Sequence, residues 1–179
     1  KTTINVNFYE TQKHFQELLP EHGYILDFGC GSGRDTKYFL EQGFYVDATD
    51  GSEEMCHIAS NYTGIQVRRL LFEELDENKK YDGIWACSSI LHLPKNELKA
   101  VFMKMFKALK EDCIIYTSFK YGDFEGERNG RYFTDFTEKT FEEFVDEIDN
   151  LQLKEEWITG DVRPGRGEEK WLNVILQKN

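Results

Sequence analysis

Tyr24-Ile25-Leu26-Asp27-Phe28-Gly29-Cys30-Gly31-Ser32-Gly33 is the stretch that decides the fold. An apolar strand ends in an acid and opens directly into alternating glycines. Glycines at that spacing leave no Cβ atoms where a strand turns into a helix, so a ligand can approach the bare backbone. The dinucleotide fingerprint G-x-G-x-x-G needs its third glycine at the position held by Arg34, one residue later than Gly33. A phosphate-binding loop needs Gly-Lys-Ser/Thr after a longer gap, and none follows. Asp27 would repel a pyrophosphate and attract an amino group. The loop therefore points to a zwitterionic or cationic nucleoside.

Around this loop, short apolar strands alternate with amphipathic helices, the pattern of an α/β fold with a largely parallel sheet. The strand candidates are residues 24–28, 44–50, 64–68, 81–87 and 113–119, with helices over 34–42, 53–61 and 95–109 between them. Leu98, Val101, Phe102, Met105, Phe106 and Leu109 form one stripe at helical spacing. A leading helix over about 5–19 is expected to end near Pro20 and to serve as a cap. After the fifth strand the reading is a polar loop over 121–132, a helix built on Phe141, Phe144, Val145 and Ile148, and two strands over 151–159 and 171–177. The short connection between those two implies an antiparallel pair. The expected architecture is a Rossmann-like seven-stranded sheet, mostly parallel with an antiparallel last strand, helices on both faces, in a single domain over 1–179.

Composition narrows the function. The chain has 179 residues, 40% of them apolar, enough for a full core. A net charge of −11 argues against a nonspecific grip on nucleic acid or an anionic membrane. The four cysteines lie far apart, with no zinc-like Cys/His spacing, so no metal is expected and the thiols read as free in a reducing cytoplasm. Neither a signal peptide nor an apolar run of membrane-spanning length is visible.

Asp50, followed by Gly51 and Ser52, closes the second strand where an acid takes a ribose diol, since a carboxylate accepts both hydroxyl protons. The plainer alternative is an acid that begins a turn. Together with Asp27 and the glycines, the ribose reading prevails.

These residues resemble the class I S-adenosylmethionine (SAM)-dependent methyltransferases across the whole chain. The resemblance rests on Asp27-x-Gly29-x-Gly31-x-Gly33, Asp50-Gly51-Ser52, and Tyr81-Asp82-Gly83-Ile84 followed by Ser88-Ser89-Ile90-Leu91-His92. Within that superfamily, Ile84-Trp85-Ala86-Cys87 and Ser118-Phe119-Lys120-Tyr121-Gly122 look most like the tellurite-resistance-type branch of bacterial small-molecule methyltransferases. The resemblance implies SAM as cofactor and S-adenosylhomocysteine as product. It places the methionyl group by Asp27, Gly29, Cys30, Gly31, Gly33 and Arg34, and the ribose by Asp50, Gly51 and Ser52. Leu71 and Phe72 would line the adenine, although the Asp that many relatives carry there is missing. Cys87 and Ser88 would pass under the bound cofactor.

Methyl transfer from a sulfonium needs alignment and a dry site more than a strong acid or base. His92 is the one candidate base in the matching region, with a structural hydrogen bond as the plainer alternative. Lys120, Arg128, Arg131, Arg163 and Arg166 fall in segments expected at the strands' C-terminal ends, where open α/β sheets bind ligands. They point to a small anionic acceptor, whether carboxylate, phosphate or another oxyanion, unless nearby acids neutralise them. Tyr9 and Tyr132 are the aromatic residues expected in the acceptor pocket.

A noncatalytic SAM-binding regulatory domain and a protein methyltransferase stay open as alternatives. The glycine spacing disfavours a nicotinamide oxidoreductase. Cys87-Ser88-Ser89 replaces the Asn/Asp-Pro-Pro-Tyr/Phe signature of base-amino methyltransferases, so nucleic-acid methylation is disfavoured.

Overall fold

The computed structural model describes residues 2–160, 165 and 169–179, with side chains from residue 8 onward. The elements in chain order are α1 (Thr2–Glu17), β1 (Tyr24–Phe28), α2 (Arg34–Glu41), β2 (Tyr45–Asp50), α3 (Glu53–Thr63), β3 (Arg68–Arg69) and β4 (Tyr81–Ala86). Then follow α4 (Lys95–Ala108), β5 (Leu109–Lys120), β6 (Glu125–Arg128), β7 (Arg131–Thr134), α5 (Glu138–Asp146), β8 (Leu151–Gly160) and β9 (Lys170–Lys178). Seven strands form one sheet in the order β3-β2-β1-β4-β5-β9-β8. The first five are parallel, and β9 runs antiparallel to both β5 and β8. The expected Rossmann-like sheet is therefore present.

Strand alternation sorts the core onto two faces. Leu26, Phe28, Ile84, Ala86, Ile115 and Phe119 pack with the buried residues of α4 and α5. Ile25, Trp85, Ile114 and Tyr116 face the other way, against Phe15 of α1 and Phe39 of α2. Helices thus cover both faces. Because these five strands are parallel, their C-terminal ends share one edge; the reversal of strand order between β1 and β4 opens a crevice there, where the candidate residues gather.

Two local expectations need correction. The third strand is only Arg68–Arg69, not 64–68. Gly64 ends α3 in the left-handed region at φ 83, and the next amides turn back to that helix: Ile65 N donates to Thr63 Oγ1, and Val67 N donates to Ser60 Oγ. Those donors are lost to the sheet. The segment 121–132 is also not a plain loop. Most of it forms the β6–β7 hairpin around Asn129 and Gly130, at φ 53 and 80. Two successive residues in the left-handed region are what a two-residue type I′ turn requires.

Candidate active site

The glycine loop is fastened to β2. Gly29 N and Cys30 N donate to the Thr49 carbonyl at 3.0 and 2.8 Å. Gly31 N donates to Asp50 Oδ1 at 3.0 Å, and Ser52 N donates to Asp50 Oδ2 at 3.0 Å. Asp50 thus holds the loop and starts the turn into α3, whose N-cap is Ser52. Each carboxylate oxygen keeps a second lone pair for a ligand hydroxyl.

The three glycines have different jobs. A Cβ on Gly29 would lie 2.6 Å from Ser89 Cβ, and one on Gly33 would lie 2.8 Å from Thr63 Cγ2. Those two exist for close packing. A Cβ on Gly31 would meet nothing within 4 Å. Its bare face is open, as a cradle for an approaching cofactor must be. Beyond Asp50, the Leu71 side chain is 3.3 Å from where a Gly51 Cβ would sit, and Leu71 itself is exposed. Phe72 packs edge-on to Phe28 at 4.9 Å, beneath the loop.

Behind the loop lie two buried carboxylates. Asp27 accepts from Thr36 Oγ1 at 2.5 Å. Burial, then the neighbouring Asp35 charge, pushes the Asp27 carboxyl up to about 8. Asp35 opens α2 and accepts from Gln12 Nε2 at 2.6 Å, Trp85 Nε1 at 3.0 Å and Arg34 Nε at 3.2 Å. It joins α1, α2 and β4 through one side chain. Arg34 also lies over the Phe8 ring at 3.5 Å, which brings α1 against the loop helix. Sequence reasoning missed Asp35 because an acid in a first helical turn reads as a solvated partner of the helix dipole.

A cavity of about 570 Å³ opens beside the loop, within the size range of small-molecule sites. Arg34, Cys87 and Ser88 line one side of it; His92, Lys120, Arg128 and Arg131 line another. Burial pushes the Cys87 thiol up to about 12, so it stays protonated. Ser88 sits in the left-handed region at φ 51 and is held there by Ser118, whose Oγ accepts from Ser88 N at 2.9 Å. The cavity also contains a polar relay that sequence reasoning did not find. Tyr116 Oη donates to Asn173 Oδ1 at 2.6 Å, and Asn173 Nδ2 donates to Thr159 Oγ1 at 3.0 Å. These residues are far apart in the chain, and only the antiparallel β5–β9–β8 register brings them together.

His92 Nδ1 lies 2.9 Å from the Tyr132 carbonyl oxygen. A carbonyl only accepts, so Nδ1 carries the proton and Nε2 keeps a lone pair. Burial and the Arg131 and Lys120 charges hold this imidazole below its ordinary range. Its ring packs edge-on to Phe133 at 4.7 Å.

Not every expected acceptor residue reaches the cavity. Tyr132 falls on the far face of β7, where its hydroxyl donates to Glu125 Oε2 at 2.8 Å. Period-two alternation aims Arg131 and Phe133 inward and Tyr132 outward. Tyr9 is exposed one helical step beyond Phe8 and meets Tyr38 edge-on at 5.8 Å. Lys120 and Arg128 line the cavity but are paired, with Glu169 at 3.0 Å and Asp135 at 2.7 Å. Arg163 and Arg166 lie outside the described residues.

Comparison with known proteins agrees with this geometry. Residues 25–112 match the family described as "Methyltransferase domain". A Bacillus subtilis protein named as the methyltransferase YqeM is 33% identical over 119 residues, 60% of this chain and 48% of its own. A Geobacillus methyltransferase-named protein is 29% identical over 116 residues, 58% of this chain and 47% of its own. The chain thus spans about half the length of these two curated relatives. Among solved structures, a Burkholderia thailandensis 1,6-didemethyltoxoflavin N1-methyltransferase superposes with a TM-score of 0.79 at 24% identity, covering 94% of this chain and 76% of that one. That structure holds 1,6-didemethyltoxoflavin and S-adenosylhomocysteine. The [4+2]-cyclase SpnF superposes with a TM-score of 0.75 at 13% identity, covering 94% of this chain and 80% of that one, so the shared fold alone does not set the reaction. The matched segment and the seven-stranded topology agree: residues 25–112, just under half of the chain, are similar to the methyltransferase-domain family, and the chain has the fold of the methyltransferase structures it superposes on.

Proposed function

We propose that this protein, folded as a single domain, transfers a methyl group from SAM to a small-molecule acceptor bound in the cavity beside the glycine loop. One observation carries the reading: Gly31 leaves its face of the loop open, and Arg34, which starts the helix after that loop, lines a cavity of ligand size together with Cys87 and Ser88. SAM, when bound, supplies an electrophilic methyl carbon for in-line displacement. The chain's residues would then align and shield the reactants. Gly31 and Asp50 would seat the nucleoside, Asp27 would favour its amino group, and Leu71 would cover the adenine in place of the missing acid. Cys87 and Ser88 would pass under the cofactor at the cavity wall, leaving its methyl group open to the acceptor. His92 Nε2 would take the proton that an N–H or O–H acceptor must lose. The likeness to the tellurite-resistance-type branch, the bacterial source and the reducing cytoplasm belong to the same reading, supported by the motif residues and the four unpaired cysteines. Among the described residues no helix is long and apolar enough to cross a membrane.

Calorimetric titration with SAM, S-adenosylhomocysteine and NAD tests the cofactor. SAM and its product should bind and NAD should not; NAD binding without SAM binding overturns the reading. A turnover screen against small molecules and peptides then separates a small-molecule enzyme from a protein methyltransferase. SAM binding with no turnover on either panel would favour the regulatory alternative.

A further inference from the structure

Arg128 and Arg131 occupy directly opposed positions in the β6–β7 hairpin. Like charges placed opposite each other across an antiparallel pair oppose strand pairing. A hairpin of four residue pairs has little cross-strand energy to offset that. Both arginines nevertheless line the cavity, as does Phe133 on the same strand face.

The two are held differently. Arg128 Nη2 donates to Asp135 Oδ2 at 2.7 Å, and its guanidinium lies 4.6 Å from the Phe124 ring centre and 4.7 Å from that of Phe133. Asp135 is only 7% exposed, so this tether is set deep in the protein. Among the described residues Arg128 uses one of its five N–H donors in hydrogen bonds, and the rest of its fork is free. Arg131 is exposed and makes no ion pair among the described residues. Lys120, the third cation lining this wall, is paired with Glu169. Three cations against two carboxylates leave one uncompensated positive charge among these residues. That matches a monoanion and leaves a dianionic phosphate in excess.

We propose that the cross-strand arginine pair is a carboxylate site, that the methyl acceptor carries one carboxylate held between Arg128 and Arg131, and that Asp135 positions Arg128. The reaction, though not the binding, rests on the methyltransferase reading above. Planar guanidinium forks suit a planar carboxylate, and Phe133 offers a ring surface between them and the base. The centre of that one ring is 4.7 Å both from the Arg128 guanidinium and from the His92 ring centre. One ring thus borders both the Arg128 guanidinium and the candidate base, so the carboxylate site and the base share one stretch of the cavity wall.

Benzoate, benzamide and inorganic phosphate serve as probes, titrated into the protein saturated with S-adenosylhomocysteine. Benzoate should bind, with benzamide and phosphate weaker by about ten- to a hundred-fold. Arg131→Ala should abolish benzoate binding, and Arg131→Lys should keep the charge but lose most of the affinity. Asp135→Asn should weaken benzoate about ten-fold with S-adenosylhomocysteine affinity intact. A thermal melt adds a readout that a structural role would move the other way. Relief of like-charge repulsion should keep or raise the Tm of ligand-free Arg131→Ala, whereas a structural arginine would lower it. Absence of benzoate binding, equal binding of benzamide, tighter binding of phosphate, or unchanged benzoate binding by Arg131→Ala each overturns the proposal. Should S-adenosylhomocysteine fail to bind, benzoate titration of the ligand-free protein still decides the arginine site, and only the methyltransferase reading falls.

Discussion

His92 Nδ1 stands 2.9 Å from the main-chain oxygen of Tyr132, so the wall of the acceptor cavity sets the tautomer of the candidate base. The imidazole is neutral at pH 7, with desolvation as the largest cause, and it keeps Nε2 as an acceptor. A base works in its neutral form, so activity is present above its pKa and lost as pH falls through it. The acid limb of kcat/KM should therefore lie below the ordinary histidine value of 6.5. Arg131→Ala removes a charge that depresses this pKa and should move the limb upward. His92→Ala should lower kcat about 10²- to 10⁴-fold with SAM affinity unchanged. An acid limb at or above 6.5 would remove the assignment.

The glycine loop allows a separation of packing from binding. Gly31→Ala puts its methyl into open space and carries only the left-handed backbone penalty, about 1–2 kcal/mol. Gly33→Ala, at φ 94, adds a clash with Thr63 and should cost about 2–4 kcal/mol. Urea unfolding should therefore rank Gly33→Ala as the less stable protein. Calorimetry should show the larger loss of SAM affinity in Gly31→Ala. Equal SAM affinity in Gly31→Ala and the wild type would mean the bare face is not the cradle.

Asp27 couples folding and binding to protons. Its folded pKa of about 8 lies above the ordinary 3.8, so the native state holds a proton that the unfolded chain releases. Stability of the free protein should fall as pH rises from about 4 to about 8, with a slope of up to about 1.4 kcal/mol per pH unit from this group. Asp27→Asn should flatten that slope. A cation seated beside Asp27 favours its charged form, so SAM binding near pH 7 should release protons. Titrations in two buffers of different ionisation enthalpy measure this. Identical apparent enthalpies would exclude the coupling.

The glycine loop and its tie to Asp50 were legible in the chain because backbone requirements write themselves as residue types. Alternating glycines and strand-end acids have few other uses. The opposite wall of the cavity was less legible. Glu125-Gly126-Glu127-Arg128 lacks the apolar alternation of a half-buried strand, so only the Asn129-Gly130 pair announced a hairpin. Without that strand phase, Tyr132 could not be placed on the outer face. Asn173 and Thr159 look like ordinary polar strand residues until the β9 register sets them by Tyr116. Asp35 becomes visible only when Gln12 and Trp85 arrive from other elements.

The two faces of the β6–β7 hairpin have a consequence for evolution and for engineering. Its outer face anchors it, through Thr134 Oγ1 to the Leu93 carbonyl and Glu125 to the Lys95 amide, while its inner face presents Arg128, Arg131 and Phe133. On this inner face Phe133 meets the segment that matches the methyltransferase family at His92. On the proposed function the hairpin would act as an interchangeable cassette. Rewriting three inward side chains would then retune the proposed acceptor, while the proposed seat for the methyl donor stays unchanged.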